Sequence, residues 1–131
     1  MKSLKSTFAF ANLFKLRKNS KKTITNSWFE LNEFSEIIRT VYAFASKGNL
    51  EHLKSNYKIL QQRADALTIE SMPAEFRSPK TIETLVLLKK QTKLISELVQ
   101  QRYSDQDINE ALLKLYEPFQ IIIGLCSAEK K

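Results

Sequence analysis

From Ser27 onward the apolar residues recur at alternating steps of three and four, the signature of helices with one buried stripe. Ser27 and Glu30 match the capping box S-x-x-E, in which the two side chains satisfy free amides at a helix start. Leu31, Phe34, Ile38, Val41 and Ala45 then form a stripe, widened by Ile37 and Phe44. Gly48 follows as a stop, because glycine tolerates the left-handed turn that closes a helix. Asn49 can cap a second helix, whose stripe runs Leu50, Leu53, Tyr57, Leu60, Ala64 and Leu67 and fades near Ile69.

The stretch "ESMPAEFRSP" holds two of the three prolines and predicts the longest connection of the domain. Ser78-Pro79 reads as cap and first residue of a third helix, carried by Ile82, Leu85, Leu88, Thr92, Ile95, Val99 and Arg102. Ser104 and Asp107 make a capping-box-like start for a fourth, carried by Ile108, Ala111, Leu112, Leu115, Phe119 and Ile122. Pro118 predicts a kink in this helix, because it withholds a donor from the Lys114 carbonyl, and Gly124 predicts its end. The turns between helices one and two, and three and four, are short enough to force antiparallel neighbours. The expected fold is all-α, an antiparallel up-down-up-down four-helix bundle over residues 27–126, with a basic N-terminal extension over 1–26 and a short tail over 127–131. A three-helix domain completed by a swapped partner helix is the structural rival.

Charge changes this picture only at the N-terminus. The chain of 131 residues has a net charge of +7, from 21 basic and 14 acidic side chains. Seven of those bases, and no acid, lie within residues 1–26, so the body is neutral. A nucleic-acid partner is therefore not expected, since it would need cations gathered on a folded face. The extension sets Lys2, Lys5, Lys15, Arg17 and Lys18 among Phe8 and Phe14, a composition that fits contact with an anionic membrane surface. Three other readings stand beside that one: a solubilising extension, an organelle-targeting leader, and a degraded export signal. Its apolar centre, Phe8 to Phe14, is short for a secretory signal, so the residues alone leave the compartment open.

Chemistry is sparse. There is one histidine and one cysteine, too few ligands for a structural zinc site, and no C-x-x-C-H haem attachment or Gly-rich phosphate loop. No metal or cofactor is expected. His52 is followed by Leu53, Lys54 and Ser55, one residue out of the register of a phosphoryl-accepting histidine, and reads as a surface residue. A noncovalent haem held by His52 and Met72 is the residual redox reading. Cys126 continues the stripe of Phe119 and Ile122 and reads as a small core residue rather than a nucleophile, having no base near it in sequence. An enzyme is not expected.

The segments "SMPAEFRSPKTIETLVLLKKQTKLISELV" and "SDQDINEALLKLYEPFQIIIGLC" together resemble a family of small bacterial four-helix-bundle proteins, similar to cytochrome c′ in outline but without its haem-attachment motif. The similarity covers residues 67–126 and includes Leu115, Glu117, Phe119, Ile122, Gly124 and Cys126. Tyr116 and Gln120 stand where the family carries two histidines. The resemblance implies a bundle, export to the periplasm, and loss of any ligand those histidines would hold.

Two functional expectations follow. The first is a noncatalytic binding or structural module that forms a homodimer through surplus apolar side chains, with Leu87, Ile121 and Ile123 as the partner face. The second is a bundle carrying a haem-like or apolar small molecule, lined by Phe34, Phe44, Tyr57, Tyr116 and Phe119. A membrane-surface accessory protein using the basic extension is a third.

Overall fold

The structure is a computed structural model that describes residues 28–126. Four α-helices account for most of them: α1 (Phe29–Ala45), α2 (Glu51–Asp65), α3 (Pro79–Gln100) and α4 (Asp105–Leu125). A single 3-10 turn (Ala74–Phe76) lies in the connection between α2 and α3. Among the described residues there is no strand, and no helix is long and apolar enough to cross a membrane.

Contacts between the helices set their directions. The Arg63 guanidinium pairs with Glu33 at 3.0 Å and Phe44 stacks on His52, so α1 and α2 run antiparallel. Lys89 Nζ donates to the Leu67 carbonyl at 2.8 Å, while Tyr57 shares a cleft with Val99, which makes α2 and α3 antiparallel. A four-residue turn returns the chain from α3 into α4, and Gln91 donates to the Ala111 carbonyl across that pair. Phe34 meets Phe119, and Tyr42 meets Leu112 and Tyr116, closing the ring from α4 back to α1. The fold is the up-down-up-down four-helix bundle.

Caps and stops place the helix ends. Ser78 and Ser104 are true N-caps, their hydroxyls accepting the Thr81 and Asp107 amides at 3.1 Å. Asn49 sits one residue before the α2 cap and takes the Glu51 amide on its side-chain oxygen at 2.8 Å. Gly48 adopts a φ of 77°, the left-handed conformation expected of it. Ser27, half of the anticipated capping box, lies outside the described residues; α1 opens at Phe29 with Trp28 at the cap position. The basic extension, with Lys2, Lys5, Phe8, Phe14, Lys15, Arg17 and Lys18, also lies outside them.

One boundary differs from the sequence reading. Helix α2 stops at Asp65 rather than near Ile69, because Thr68 and Ser71 exchange side-chain-to-amide hydrogen bonds and Ser71 Oγ also donates toward the Ala66 and Thr68 carbonyls. The indole of Trp28 donates to the same Ser71 hydroxyl at 3.1 Å, pinning the start of α1 to this turn. Helix α4 runs unbroken through Pro118 and closes at Leu125, one residue past Gly124, with Cys126 at its cap, so Gly124 marks its end as expected. Burial of Ile122, Ile123 and Cys126 holds its last turn in place.

The core follows the predicted stripes. Leu31, Phe34, Ile38, Val41 and Ala45 from α1 meet Leu53, Leu60 and Ala64 from α2, Leu85, Leu88 and Ile95 from α3, and Leu112, Leu115, Phe119 and Ile122 from α4. Thr92, fully buried, returns its hydroxyl to the Leu88 carbonyl, so a polar residue in the α3 stripe needs no external partner.

Candidate functional site

The anticipated aromatic ligand chamber is filled by its own rings. Phe34 and Phe119 are fully buried and meet edge to face with centroids 6.0 Å apart. Tyr116 packs edge-on against both Tyr42, at 5.2 Å, and Phe119, at 6.4 Å. Such contacts are the packing of a closed core. Phe44 is 39% exposed and stacks on the His52 ring outside this cluster, and Tyr57 is half-buried at the opposite flank of α2. The five residues therefore do not converge on one cavity.

The anticipated partner face is redrawn in the same way. Leu87 is 54% exposed, Ile121 is half-buried, and Ile123 is 2% exposed and belongs to the core. The reason is the position of α4 against both α3 and α1, which lets two residues projecting 100° apart, Ile122 and Ile123, both enter the core. Surplus apolar surface is concentrated instead on α3, where Val86 is 56% exposed beside Leu87, with Leu94 one heptad beyond.

The charges around this pair are arranged symmetrically. Along the outward face of α3, Glu83 precedes Val86 by three residues and Lys90 follows Leu87 by three, and all four are exposed. Helical geometry stacks residues three apart one turn above another, so the face reads acid, apolar pair, base. Lys80, Lys93 and Glu97 continue a mixed-sign surface on either side. Sequence reasoning read surplus apolar surface in Leu85 to Leu88, Val86 included, and placed Leu87 on the partner face, but did not single out Glu83 or Lys90; the equal spacing of the two charges about the apolar pair was the available signal.

A cleft of about 490 Å³ opens at the end of the bundle where α2 starts and α3 turns into α4. Its walls are Lys54, Tyr57, Gln100, Arg102 and Tyr103, with Val99 and Ile108 as apolar floor. Lys54 is held by Asp105 at 2.8 Å, and that hydrogen bond raises its pKa above the ordinary lysine value. Only Tyr57 among these residues was anticipated as a ligand contact.

The remaining reactive groups are structural. Burial pushes the Cys126 thiol up to about 12, so it is protonated at neutral pH and is a poor nucleophile. His52 lies in the first turn of α2 and Met72 in the connection beyond its other end, so a helix of about 22 Å at 1.5 Å per residue stands between them and they do not form an axial pair. Among the described residues no group of three or more His, Cys, Asp or Glu side chains could hold a metal ion. Tyr116 is buried and Gln120 exposed, so these two positions of α4 face different environments.

Comparison with known proteins yields no match to a family model, to a curated protein or to a solved structure.

Proposed function

We propose that this chain is a noncatalytic helical-bundle module that pairs with a second copy of itself through the outward face of α3. The observation that carries this reading is the placement of Glu83 and Lys90 at equal distances from the exposed Val86–Leu87 pair. A two-fold axis passing between Val86 and Leu87 would run the two α3 helices antiparallel. It sets each Val86 against the partner's Leu87 and each Glu83 against the partner's Lys90. The central contacts of such a patch are self-complementary, the requirement for a closed isologous dimer. The same axis brings Lys80 toward the partner's Lys93 at the flanks and so weakens the pairing. The described body supports the noncatalytic part of the reading: its aromatic interior is packed and its one cysteine is buried with a raised pKa.

The apolar patch is small against the roughly 800 Å² per partner of a standard stable interface. The pairing is accordingly weak and reversible, with a dissociation constant on the order of 100 μM. Sedimentation equilibrium of the full chain between 10 μM and 1 mM (concentrations chosen to bracket roughly that constant) should show a monomer–dimer equilibrium. Leu87→Glu, which buries a charge at the centre of the patch, should leave a monomer throughout. A wild-type chain that stays monomeric to 1 mM, or a dimer indifferent to Leu87→Glu, contradicts the reading.

A further inference from the structure

The cleft at the other end of α3 has a feature that packing does not explain. Helix α3 closes in a Schellman motif: the Tyr103 amide donates to the Leu98 carbonyl at 3.0 Å and the Arg102 amide to the Val99 carbonyl at 3.1 Å. That motif puts its penultimate residue in the left-handed region, and Arg102 accordingly has a φ of 61°. Among the described residues Arg102 is the one non-glycine residue with positive φ, whereas the corresponding position after α1 is Gly48. Glycine is the residue without strain there, because every Cβ crowds the backbone at positive φ. The hydrogen bonds of the motif ask only for the backbone conformation, so they do not account for an arginine.

What the arginine adds is a guanidinium on the wall of the cleft. It has no ion pair or hydrogen bond among the described residues, and it shares the cleft with two tyrosines, Tyr57 and Tyr103. The other cation, Lys54, is already neutralised by Asp105. The exposed Arg102 guanidinium is thus the cation of the cleft left open to a ligand, beside two phenol rings and above the apolar floor of Val99 and Ile108. The volume, about 490 Å³, lies within the range of small-molecule sites. Guanidinium groups hold carboxylates through paired N–H donors, and tyrosine rings accept flat apolar bodies by stacking or edge contact.

We propose that this cleft binds a small aromatic carboxylate, its ring between Tyr57 and Tyr103 and its carboxylate on Arg102. The binding is noncovalent and involves no step of chemistry. It is independent of pairing through α3, whose central residues Val86 and Leu87 lie more than two turns from Val99 along the helix.

The test is an amide-resolved NMR titration of the full chain with indole-3-acetate, set beside neutral indole and ring-free acetate. Indole-3-acetate should shift the amides of residues 54–57 and 99–108 and bind at least tenfold more tightly than either control. Arg102→Gly is the informative variant, since it removes the guanidinium and relieves the positive-φ strain together. It should weaken indole-3-acetate binding at least tenfold while raising the melting temperature by roughly 4 °C. Arg102→Lys should retain part of the binding. No shift in the cleft up to 10 mM indole-3-acetate (a level roughly tenfold above the 1 mM mark of weak affinity), equal binding of indole, or undiminished binding by Arg102→Gly would each overturn the proposal.

Discussion

The Tyr42 hydroxyl donates a 2.6 Å hydrogen bond to the Leu112 carbonyl, joining the first helix of the bundle to the last across 70 positions of sequence. Both groups are buried, and the Tyr42 ring also meets Tyr116 edge to face. This bond and the ring contacts Phe34–Phe119 and Tyr42–Tyr116 help close the ring of helices, since α1 and α4 share no direct connection. Tyr42→Phe keeps the ring packing and removes the bond. It should lower stability by about 1 kcal/mol in denaturant unfolding, with the helical circular-dichroism spectrum unchanged.

Alkaline pH should unfold the chain through its buried acids. Burial raises the pKa of Tyr42 well above its ordinary 10.0, with Tyr116 adding to the effect, and raises Cys126 from 9.0 to about 12. In both cases the folded state holds its proton more tightly than the unfolded chain. Each contribution to stability is therefore complete below the unfolded pKa and is lost as pH rises toward the folded one. Stability should begin to fall near pH 9, from Cys126, and fall further above pH 10, from Tyr42. Cys126→Ala should remove the first part of that decline when unfolding free energy is followed from pH 7 to 11 (a window opening at roughly neutrality and spanning both onsets).

The same burial predicts thiol behaviour. An aromatic disulfide reagent at pH 8, about one unit below the Cys126 onset, should label native protein slowly, at the rate of helix opening, and label it at once in denaturant. Immediate labelling of the native chain would show that Cys126 is not part of the closed core.

The two glycines should respond in opposite directions. Gly48 holds a φ of 77°, so Gly48→Ala should cost about 1 kcal/mol even though an added Cβ meets nothing within 4 Å. Gly124 lies inside α4 with no positive φ and equally open space, so Gly124→Ala should stabilise by about 0.5–1 kcal/mol. Paired thermal melts of the two variants check both signs.

That contrast shows where the sequence is legible. The stripe Leu31, Phe34, Ile38, Val41, Ala45 is buried throughout because helical period and burial are the same geometric fact. Gly48 and Ser78 act locally, and local rules place them correctly. Ile123 departs from its expected place on a partner face because burial depends on what lies beside α4, where Ile122 and Ile123 both enter the core. The end of α2 was displaced by the Thr68–Ser71 turn, a competition between side-chain and helical hydrogen bonds that periodicity does not register. The cleft depends on how the start of α2 meets the α3–α4 turn, a nonlocal arrangement. Its one local sign was the missing glycine in "QQRYSD", where a helix ends on a residue that must turn left-handed.

The α3 pairing is tested most directly by reversing its charges in two separate chains at about 0.15 M salt, where distant repulsion between the basic extensions is screened. Glu83→Lys alone would face lysine with lysine, and Lys90→Glu alone would face glutamate with glutamate. Each variant should sediment as a monomer at a concentration where the wild type dimerises. An equimolar mixture restores both opposite-charge contacts, and it should sediment as a heterodimer. Single variants that still dimerise, or a mixture that stays monomeric while the wild type pairs, would contradict this mode of association.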